Sequence, residues 1–355
     1  MRNKTLIVKF LTLALLFVAL LAFSWDRTEM ENRAFVITIG VDKGEELPYK
    51  VTMSILDAEG FEDGEDARVL RDAEGECPAS AMGAVGATIS RSIYFGHTKA
   101  IILGAELLKN ADALSKTVDV LSKNNDINIR TVVMATDKTA AEIMNAKPET
   151  QQMLGMYLSG FYSKSNTNTA ALVVKADLES LVADFRLSGT SIIPKVTIDK
   201  DDEIKIGGVA LIKNHALTGF LTPDDMAGYL WMRENAVGLQ LTSDSATIKI
   251  ERSKPKISFV EYSGTLLCYA KIEAVAGLEA GKNNPQVVEE FQRKIERDIT
   301  ETFRIFQEVY ISDGLELREI LRKHYPKLYD KYGGDWEKTF AHIRFVTKVD
   351  LEIRH

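Results

Sequence analysis

The stretch Ala34-Phe-Val-Ile-Thr-Ile-Gly-Val41 determines how the first half of the chain folds. It is rich in β-branched residues, and a second such stretch, Tyr49-Lys-Val-Thr-Met-Ser-Ile-Leu56, follows after the turn-like residues DKGEELP. Two β-branched runs on either side of a turn that contains glycine and proline are typical of paired strands. The sequence therefore predicts that these two stretches lie side by side in a sheet.

Outward from this pair, predicted strands and helices alternate along the first half of the chain. Strands are predicted for YFGHTKAIILG (94–104) and INIRTVVMAT (127–136), and helices for 79–91, 106–122, 139–145, 151–162 and 178–185. In the first of these helices, Gly83 and Gly86 allow close packing against a neighbour. Alternation of this kind predicts a mixed α/β domain.

An acidic stretch from Asp57 to Glu76 interrupts the alternation. Its acids recur at nearly every second position, but they lack the Asp-x-Asp-x-Asp-Gly spacing of a calcium-binding loop. We expect a solvated loop here, not a metal site.

The chain changes character between Pro194 and Ile204, where VTIDKDDEIK forms a charged junction rich in turn residues. We place the main domain boundary there. Residues 1–24 are then a leader or anchor, residues 25–200 an N-terminal mixed α/β domain that we expect to subdivide, and residues 201–355 a C-terminal α+β domain.

Residues 206–221 of the second half predict a hairpin that turns at Lys213-Asn214-His215. Thr222-Pro223-Asp224-Asp225 has the features of a helix start, with threonine as N-cap and proline at the first helical position, and the helix should run to about Asn235. Three alternating segments between 240 and 276 predict an antiparallel meander.

A long helix is predicted from Pro285 to Tyr310, because its apolar residues recur every three or four positions. This apolar stripe must cover something, and the apolar face of the meander is the obvious partner. A shorter helix at 315–324 should end or kink at Pro326, and residues 343–353 predict a closing strand. We therefore predict an α+β class: several mixed α/β domains whose antiparallel sheets are packed by long amphipathic helices.

The N-terminus carries Arg2, Lys4 and Lys9 before an uncharged apolar run of 14 residues, Phe10 to Phe23. That length suits a signal-peptide core and is short of the ~20 residues of a membrane span. Thr5 to Trp25 would reach about 21 residues, enough for a tilted span if Lys9 extends to the interface. No small-x-small cleavage pattern follows Phe23, which favours retention, and the basic N-terminal side predicts export of the rest of the chain. A buried core helix fits this terminal position and basic lead less well.

Length, composition and charge exclude several classes of protein. The 355 residues suffice for two or three domains, and 45% apolar with 27% charged residues fits neither a disordered chain nor a polytopic membrane protein. The net charge of −7 disfavours electrostatic binding to nucleic acid or to anionic lipid. Cys77 and Cys268 are too few for a zinc cluster and permit one disulfide at most, and we expect free buried thiols.

The sequence contains no recognisable catalytic or cofactor motif. A phosphate loop, GxGxxG, GxSxG, HExxH and CxxC are all missing, and no two of the five histidines share metal-ligand spacing on one helix. We expect His97 to satisfy backbone groups, and His215 and His324 to face solvent. Carboxylates distant in sequence could still meet in space, so an enzyme is not excluded at this level. We expect no catalytic residue, cofactor or metal.

Five blocks of sequence resemble the spore germinant receptor C-subunits, the Ger(x)C lipoproteins of endospore-forming bacteria. They cover nearly the whole chain from Trp25 onward and occur in the family's order. The blocks are WDRTEMENRAFVITIGVDKG (25–44), SIYFGHTKAIILGAELL (92–108), GVALIKNHALTGFLTPDDMAGYLWMREN (208–235), IKIERSKPKISF (248–259) and HYPKLYDKYGGDWEKTFAHIRFVTKVDLEIR (324–354).

The leader departs from the family pattern at Ser24. In the family, the leader ends in a lipobox whose acylated cysteine directly precedes Trp-Asp, whereas Leu21-Ala22-Phe23-Ser24 precedes Trp25 here. A serine has no thiol to form the thioether, so no lipidation is expected. Our hypothesis is that an uncleaved leader anchors the protein instead.

The resemblance implies a non-enzymatic subunit on the outer face of the spore inner membrane, on the exported side. It would assemble there with polytopic A- and B-type receptor subunits and take part in the response to nutrient germinants, with no role in nucleic-acid binding.

Two other functions remain open from the sequence. A module that itself binds the germinant would need a cleft between the two halves, where Trp231, Tyr229 and Arg233 are the first candidates. An envelope hydrolase would need a deep pocket with two carboxylates roughly 5–10 Å apart.

Overall fold

The structure, a computed structural model, describes residues 32–56, 68–146, 153–162, 174, 176–199, 203–233 and 236–354. The predicted leader with Ser24 lies outside the described residues, as do residues 57–67 of the acidic stretch. No helix within the described ranges combines the length and the apolar character needed to cross a membrane.

A large sheet forms the first part of the molecule around strand β1, whose residues are almost all buried. The strand order is β3-β2-β1-β5-β6-β7-β8-β9, and the short β4 also pairs with β1. The pairs β1–β5, β5–β6, β6–β7 and β1–β4 are parallel. The pairs β1–β2, β2–β3, β7–β8 and β8–β9 are antiparallel. The strands are β1 (Arg33–Lys43), β2 (Tyr49–Leu56), β3 (Arg68–Gly75), β4 (Ser92–Tyr94), β5 (Ala100–Leu103), β6 (Val132–Ala135), β7 (Ser191–Ile198), β8 (Ile204–Lys213) and β9 (Ala216–Leu221).

Helices cover both faces of this sheet. The core on one face includes buried side chains of α1, α3 and α6, and the core on the other face includes those of α4 and α5. These helices are α1 (Pro78–Ala87), α2 (Ala105–Leu108), α3 (Ala111–Lys123), α4 (Ala140–Asn145), α5 (Leu154–Gly160) and α6 (Leu178–Leu187).

The structure confirms the predicted strand pair and the mixed α/β character, and it corrects two details. The predicted helix at 106–122 is two helices, because Asn110 caps α3 by accepting a 3.0 Å bond from the Ala113 amide. The expected loop at 57–76 is wrong for residues 68–75, which form β3 and pair with β2 along its whole length. Such pairing satisfies backbone groups whatever the side chains are, so acids on an exposed edge strand are tolerated.

A four-stranded sheet with the order β10-β11-β12-β13 forms the second part. β10, β11 and β12 are antiparallel, whereas β13 runs parallel to β12. The elements are α7 (Ala227–Met232), β10 (Gln240–Thr242), β11 (Ala246–Tyr262), β12 (Thr265–Gly281), α8 (Pro285–Arg304) with a π-helical turn at Ile305–Val309, α9 (Leu317–His324), α10 (Pro326–Tyr332), α11 (Trp336–His342) and β13 (Arg344–Arg354).

Helix α8 lies on one face of this sheet, as its apolar stripe predicts. Phe291, Ile295 and Ile299 are fully buried in the same core as Cys268 and Ile272 of β12. The opposite face of the sheet is largely exposed.

Three sequence predictions in this half need correction. The predicted three-segment meander is dominated by two 17-residue strands, and Pro255 lies inside the first of them. Thr222 and Asp225 exchange capping hydrogen bonds, yet the regular helix begins only at Ala227. Pro326 begins helix α10 instead of merely ending α9, because proline suits the first helical turn.

The expected boundary at residues 200–201 falls between β7 and β8, which pair antiparallel from Ser191↔Ile212 to Ile198↔Ile204. The large sheet therefore extends past this point, to Leu221 of β9. The division into two domains at this place stays a prediction.

Side chains of α8 and of the segment before it cover the outer edge of β13. Gln292 donates to the carbonyl of Val349 at 3.0 Å, and Glu296 accepts from the amide of the same residue at 3.0 Å. Asn283 donates to the Ile353 carbonyl at 2.8 Å. These contacts replace the bonds that another strand would make.

Candidate functional site

Two of the carboxylates with raised pKa values serve as helix caps. Asp42 accepts bonds from the amides of Ala140 and Ala141 at 2.7 and 3.0 Å, and burial raises its pKa. Such a carboxylate holds the start of α4 on the sheet. These two hydrogen bonds are structural.

Asp313 holds the start of α9 in the same way. It accepts bonds from the amides of Leu317 and Arg318, both at 2.8 Å, and from the Trp336 indole at 2.9 Å. Enclosure by the surrounding protein raises the pKa of this carboxyl to about 6, although its hydrogen bonds favour the charged form.

A small charged cluster lies where the first part of the chain meets the second. Asp184 of α6 accepts a 2.6 Å bond from the hydroxyl of Ser191, and Arg233 forms a 2.6 Å ion pair with Glu316. Burial raises the pKa of Asp184 to about 6, and the charge of Glu316 adds to this effect while Arg233 opposes it. Charge interactions of Asp184 with Arg233 and Glu316 therefore couple α6 to the α7 and α9 regions.

The candidates for direct germinant binding do not form a cleft. Tyr229 and Trp231 are buried in the core between α7 and the C-terminal sheet, with Trp231 only 1% exposed. Arg233 is paired with Glu316. None of the three lines the pocket between β11, β12 and β13, the pocket between β2, β3 and residues 88–91, or the pocket between α1, β4 and α3.

His97, His215 and His324 belong to different parts of the fold. His97 is exposed and packs its ring against Phe35 and Tyr94, whereas His324 is exposed as expected. His215 differs from the expectation, because it is half-buried and its Nε2 lies 2.9 Å from the Phe185 carbonyl. Among the described residues, no group of three or more His, Cys, Asp or Glu side chains could hold a metal ion.

Neither cysteine forms a disulfide. Cys268 is buried, as expected, and burial raises the pKa of its thiol. Cys77 is only half-buried because it is the N-cap of α1, where hydrogen bonds with Ser80 lower the thiol pKa.

An apolar cleft of about 620 Å³ opens between α1, the segment around β4 and the end of α3. Gly83 faces open space, since a Cβ there would meet no described atom within 4 Å, and a Cβ at Gly86 would meet only Ile93, at 3.4 Å. The sequence predicted close packing at these glycines, but the described chain supplies no tight neighbour. The cleft is lined by Ala79, Met82, Gly83, Gly86, Arg91, Ser92, Ile93, Phe95, Val120, Lys123 and Asn124.

Two family models together match almost the whole chain. The spore germination protein N-terminal domain matches residues 26–198, and the spore germination B3/GerAC-like C-terminal domain matches residues 207–355. The chain belongs to this family of spore germination proteins.

Curated relatives match more than nine-tenths of this chain. Spore germination protein B3 of Bacillus subtilis (strain 168) is 22% identical over 364 residues, which cover 96% of this chain and 96% of that protein. Spore germination protein KC of the same organism is 20% identical, and the alignment covers 92% of this chain and 90% of that protein. Family membership supports a role in spore germination.

A solved structure shares the fold. The crystal structure of the GerBC protein aligns with a TM-score of 0.60 over 89% of this chain and 97% of that chain, at 18% sequence identity. At this identity the similarity shows the fold, and the mixed α/β class predicted from the sequence agrees with it.

Sequence reasoning missed the apolar cleft as a site. The small residues of α1, which line one side of the cleft, are visible in the sequence. The other side comes from β4 and α3, and their distance from α1 depends on the packing of the whole sheet.

Proposed function

We propose that this family member is a non-enzymatic, membrane-anchored C-subunit of a spore nutrient germinant receptor. It assembles with polytopic A- and B-type subunits on the outer face of the spore inner membrane and is needed for the response to germinants. The observation that carries the proposal is the match of both germination-protein domain models, which together span residues 26–198 and 207–355.

The chemistry of the buried acids supports a non-enzymatic role. Asp42 and Asp313 are committed to helix amides, and Asp184 to a serine hydroxyl. A general acid or base needs to reach a substrate proton from a pocket. None of these three lines the apolar cleft, the pocket between β11, β12 and β13, or the pocket between β2, β3 and residues 88–91.

Membrane attachment rests on the leader. We propose that residues 1–24 remain on the mature chain and anchor it, because Ser24 cannot be acylated as a lipobox cysteine would be. Mass spectrometry of the protein from spore membranes tests this idea, and a mature chain beginning at or after Trp25 would overturn it.

We assign the contact with a receptor partner to the apolar cleft. Apolar side chains such as Met82, Ile93 and Phe95 line it, and the absence of a Cβ at Gly83 and Gly86 lets another chain approach the α1 backbone. A cleft of this kind suits apolar side chains of a partner segment.

The test is co-purification from the inner membranes of dormant spores with a C-terminal tag, in detergent. We expect two polytopic membrane proteins to come with the chain in a complex that stays together on sizing. The variant Gly83→Leu places a side chain in the cleft, where its Cβ meets no described atom within 4 Å, and it should release both partners. The matched control is Gly160→Leu at the end of α5, where a Cβ also meets no described atom within 4 Å.

Two outcomes would contradict the proposal. Recovery of the wild-type chain alone would argue against the receptor-subunit function, whereas intact complexes with Gly83→Leu would argue only against the cleft as the contact.

The cleft also favours the alternative function, in which the chain itself binds the germinant. Its volume lies within the 300–1,000 Å³ range of small-molecule sites, and Arg91 and Lys123 contribute to its lining. In that case titration calorimetry of the purified full chain with germinant amino acids or sugars should give heat of binding that Gly83→Leu abolishes. Heat that survives this substitution would place the ligand elsewhere.

A further inference from the structure

The exposed face of the C-terminal sheet, opposite α8, has a composition unlike that of the chain as a whole. Strand alternation and the pairing register of β11, β12 and β13 place 17 side chains on it, which we call the outer face. The outer face consists of Arg252, Lys254, Lys256, Ser258, Val260 and Tyr262 of β11, Thr265, Leu267, Tyr269, Lys271, Glu273 and Val275 of β12, and Arg344, Val346, Lys348, Asp350 and Glu352 of β13.

The outer face is positively charged. It carries six basic and three acidic side chains, although the whole chain has a net charge of −7. The expectation that the chain avoids anionic surfaces follows from the total charge and does not apply to this face, because a local excess of cations acts over about one Debye length, ~10 Å.

Three lysines stand in one row across the three strands. Lys256 is paired in register with Lys271, and Lys271 with Lys348. Glu273 and Asp350 compensate Lys271 at 2.7 and 3.0 Å, whereas Lys256 has no ion pair with any described residue. Lys348 lies 3.8 Å from Asp350, so Lys256 is the member of the row whose charge no described carboxylate compensates. Like charges directly opposite each other destabilise a sheet, and anions bound at Lys256 would reduce this repulsion.

Apolar and aromatic side chains lie next to the lysine row, toward the hairpin tip. Tyr262 is 66% exposed, and Val260, Val346 and Tyr269 are also exposed. Glu261 also lies near the tip, where a free carboxylate would repel an anionic surface. It forms a 2.6 Å ion pair with Lys331, which neutralises its charge.

This combination favours a lipid surface over a protein partner. Tyrosine with its polar hydroxyl is enriched at the membrane–water interface, and lysine ammonium groups pair as point charges with phosphate. Lysine is depleted at protein–protein interfaces, where a row of three would have to lose its hydration.

We propose that the outer face is a peripheral membrane-binding surface that contacts anionic phospholipid headgroups. The lysine row lies on the phosphates, and the hairpin tip with Val260 and Tyr262 enters the headgroup region. The C-terminal sheet is thereby held against the bilayer at a second point besides the leader. This contact requires only lipid and is independent of the receptor partners.

The test places a fluorophore at the hairpin tip of the full-length chain. Ser263→Cys, in a Cys77→Ser background, provides one accessible thiol for an environment-sensitive dye, because Cys268 is buried. The chain is added to phosphatidylcholine vesicles with or without phosphatidylglycerol, with a nitroxide-labelled lipid as quencher. We expect quenching and a blue shift that require phosphatidylglycerol and weaken with salt.

Two comparisons make the result specific. Lys256→Ser with Lys348→Ser should lower the docking equilibrium roughly 30-fold, given the contribution of each cation near an anionic surface. Lys109→Ser with Lys116→Ser removes the same charge from exposed sites in and beside α3 and should change it little. A dye on Leu187→Cys, at a 71% exposed position, reports on contact elsewhere and should stay unquenched.

Several results would overturn the proposal. Equal quenching at positions 263 and 187, or no effect of the lysine substitutions, would show that the outer face does not bind headgroups. Shielding of position 263 only after receptor subunits are added would show that it docks a protein. Because lipid alone suffices for this test, its failure leaves the co-purification result unaffected.

Discussion

Gly228 lies where α7 crosses α8, and a Cβ at this position would stand 2.4 Å from both the Asp298 carbonyl oxygen and the Ile299 Cα. The Thr302 hydroxyl also bonds the Gly228 amide at 3.0 Å and the Asp225 carbonyl at 2.7 Å. The two helices are therefore held backbone to backbone.

Gly228→Ala should push the two helices apart and lower the free energy of unfolding by about 1–3 kcal/mol. Urea unfolding followed by circular dichroism measures the change. Gly83→Ala is the matched control, because its Cβ enters open space, and it should stabilise the chain by up to ~1 kcal/mol. Equal effects of the two substitutions would contradict the close approach of α7 and α8.

The raised pKa values of Asp184 and Asp313, both about 6, predict how stability depends on pH. An unfolded aspartate titrates near pH 3.9, so between about pH 4 and 6 the folded chain binds more protons than the unfolded chain. The contribution is fully present below the unfolded pKa and is lost as pH rises through 6. Stability should therefore increase when the pH is lowered from 7 to 5.

Asp184→Asn should reduce this dependence, because an amide keeps an acceptor for Ser191 but cannot ionise. We expect about 1 kcal/mol more stability at pH 7 and a smaller gain on acidification. Urea midpoints between pH 5 and 7 measure it, with Asp119→Asn on exposed α3 as control. A profile that Asp184→Asn leaves unchanged would mean that this carboxyl is not the titrating group.

At the scale of elements, α8 protects the edge of β13 through Gln292 and Glu296. Gln292→Leu with Glu296→Leu leaves the Val349 amide and carbonyl without partners, which should cost about 1–3 kcal/mol per group. The open edge should also promote association, which sizing chromatography detects.

The exposed face of the same helix offers a control. Arg293→Gln breaks an exposed ion pair with Glu289 and should change stability by less than ~1 kcal/mol. If the double leucine variant stays monomeric and equally stable, the edge is protected by other means.

Elements with strong periodicity could be predicted from the sequence, and elements held by backbone pairing could not. The apolar stripe of α8 and the β-branched residues of β1 are each recognisable within a short stretch of sequence. β3 shows no such pattern in RVLRDAEG, because an edge strand needs only β2 beside it. Pro255 lies inside β11, beyond residues 247–249 where β10 pairs, so β11 is an edge strand at this point, and edge strands tolerate proline.

The proposed membrane surface depends on long-range register and was therefore out of reach of sequence reasoning. Lys271 and Lys348 are neighbours only because β13 pairs in parallel with β12, after four helices that connect the two strands. The apolar cleft could not be predicted for the same reason, since Met82 and Val120, which both line it, belong to different helices.

At the scale of the whole molecule, the continuous sheet predicts where the chain can be divided. A fragment that ends at residue 200 lacks β8 and β9 and uncovers Ile193 and Val196 of β7, both fully buried. A fragment that ends at residue 222 keeps every strand of that sheet.

Expressed from residue 32, the longer fragment should unfold cooperatively, while the shorter one should aggregate or bind a hydrophobic dye. Thermal unfolding with dye fluorescence compares the two. Similar behaviour of both fragments would favour a boundary at 200–201.

The parallel pairing of β13 with β12 also has a consequence for biosynthesis. β12 is complete at Gly281, but its partner strand begins at Arg344, more than sixty residues later. Until the end of the chain has been synthesised, the edge of β12 that pairs with β13 stays open. The last translated residues therefore decide when this sheet is completed. A chain that ends before Arg344 would leave the edge of β12 unpaired and accessible to chaperones and proteases.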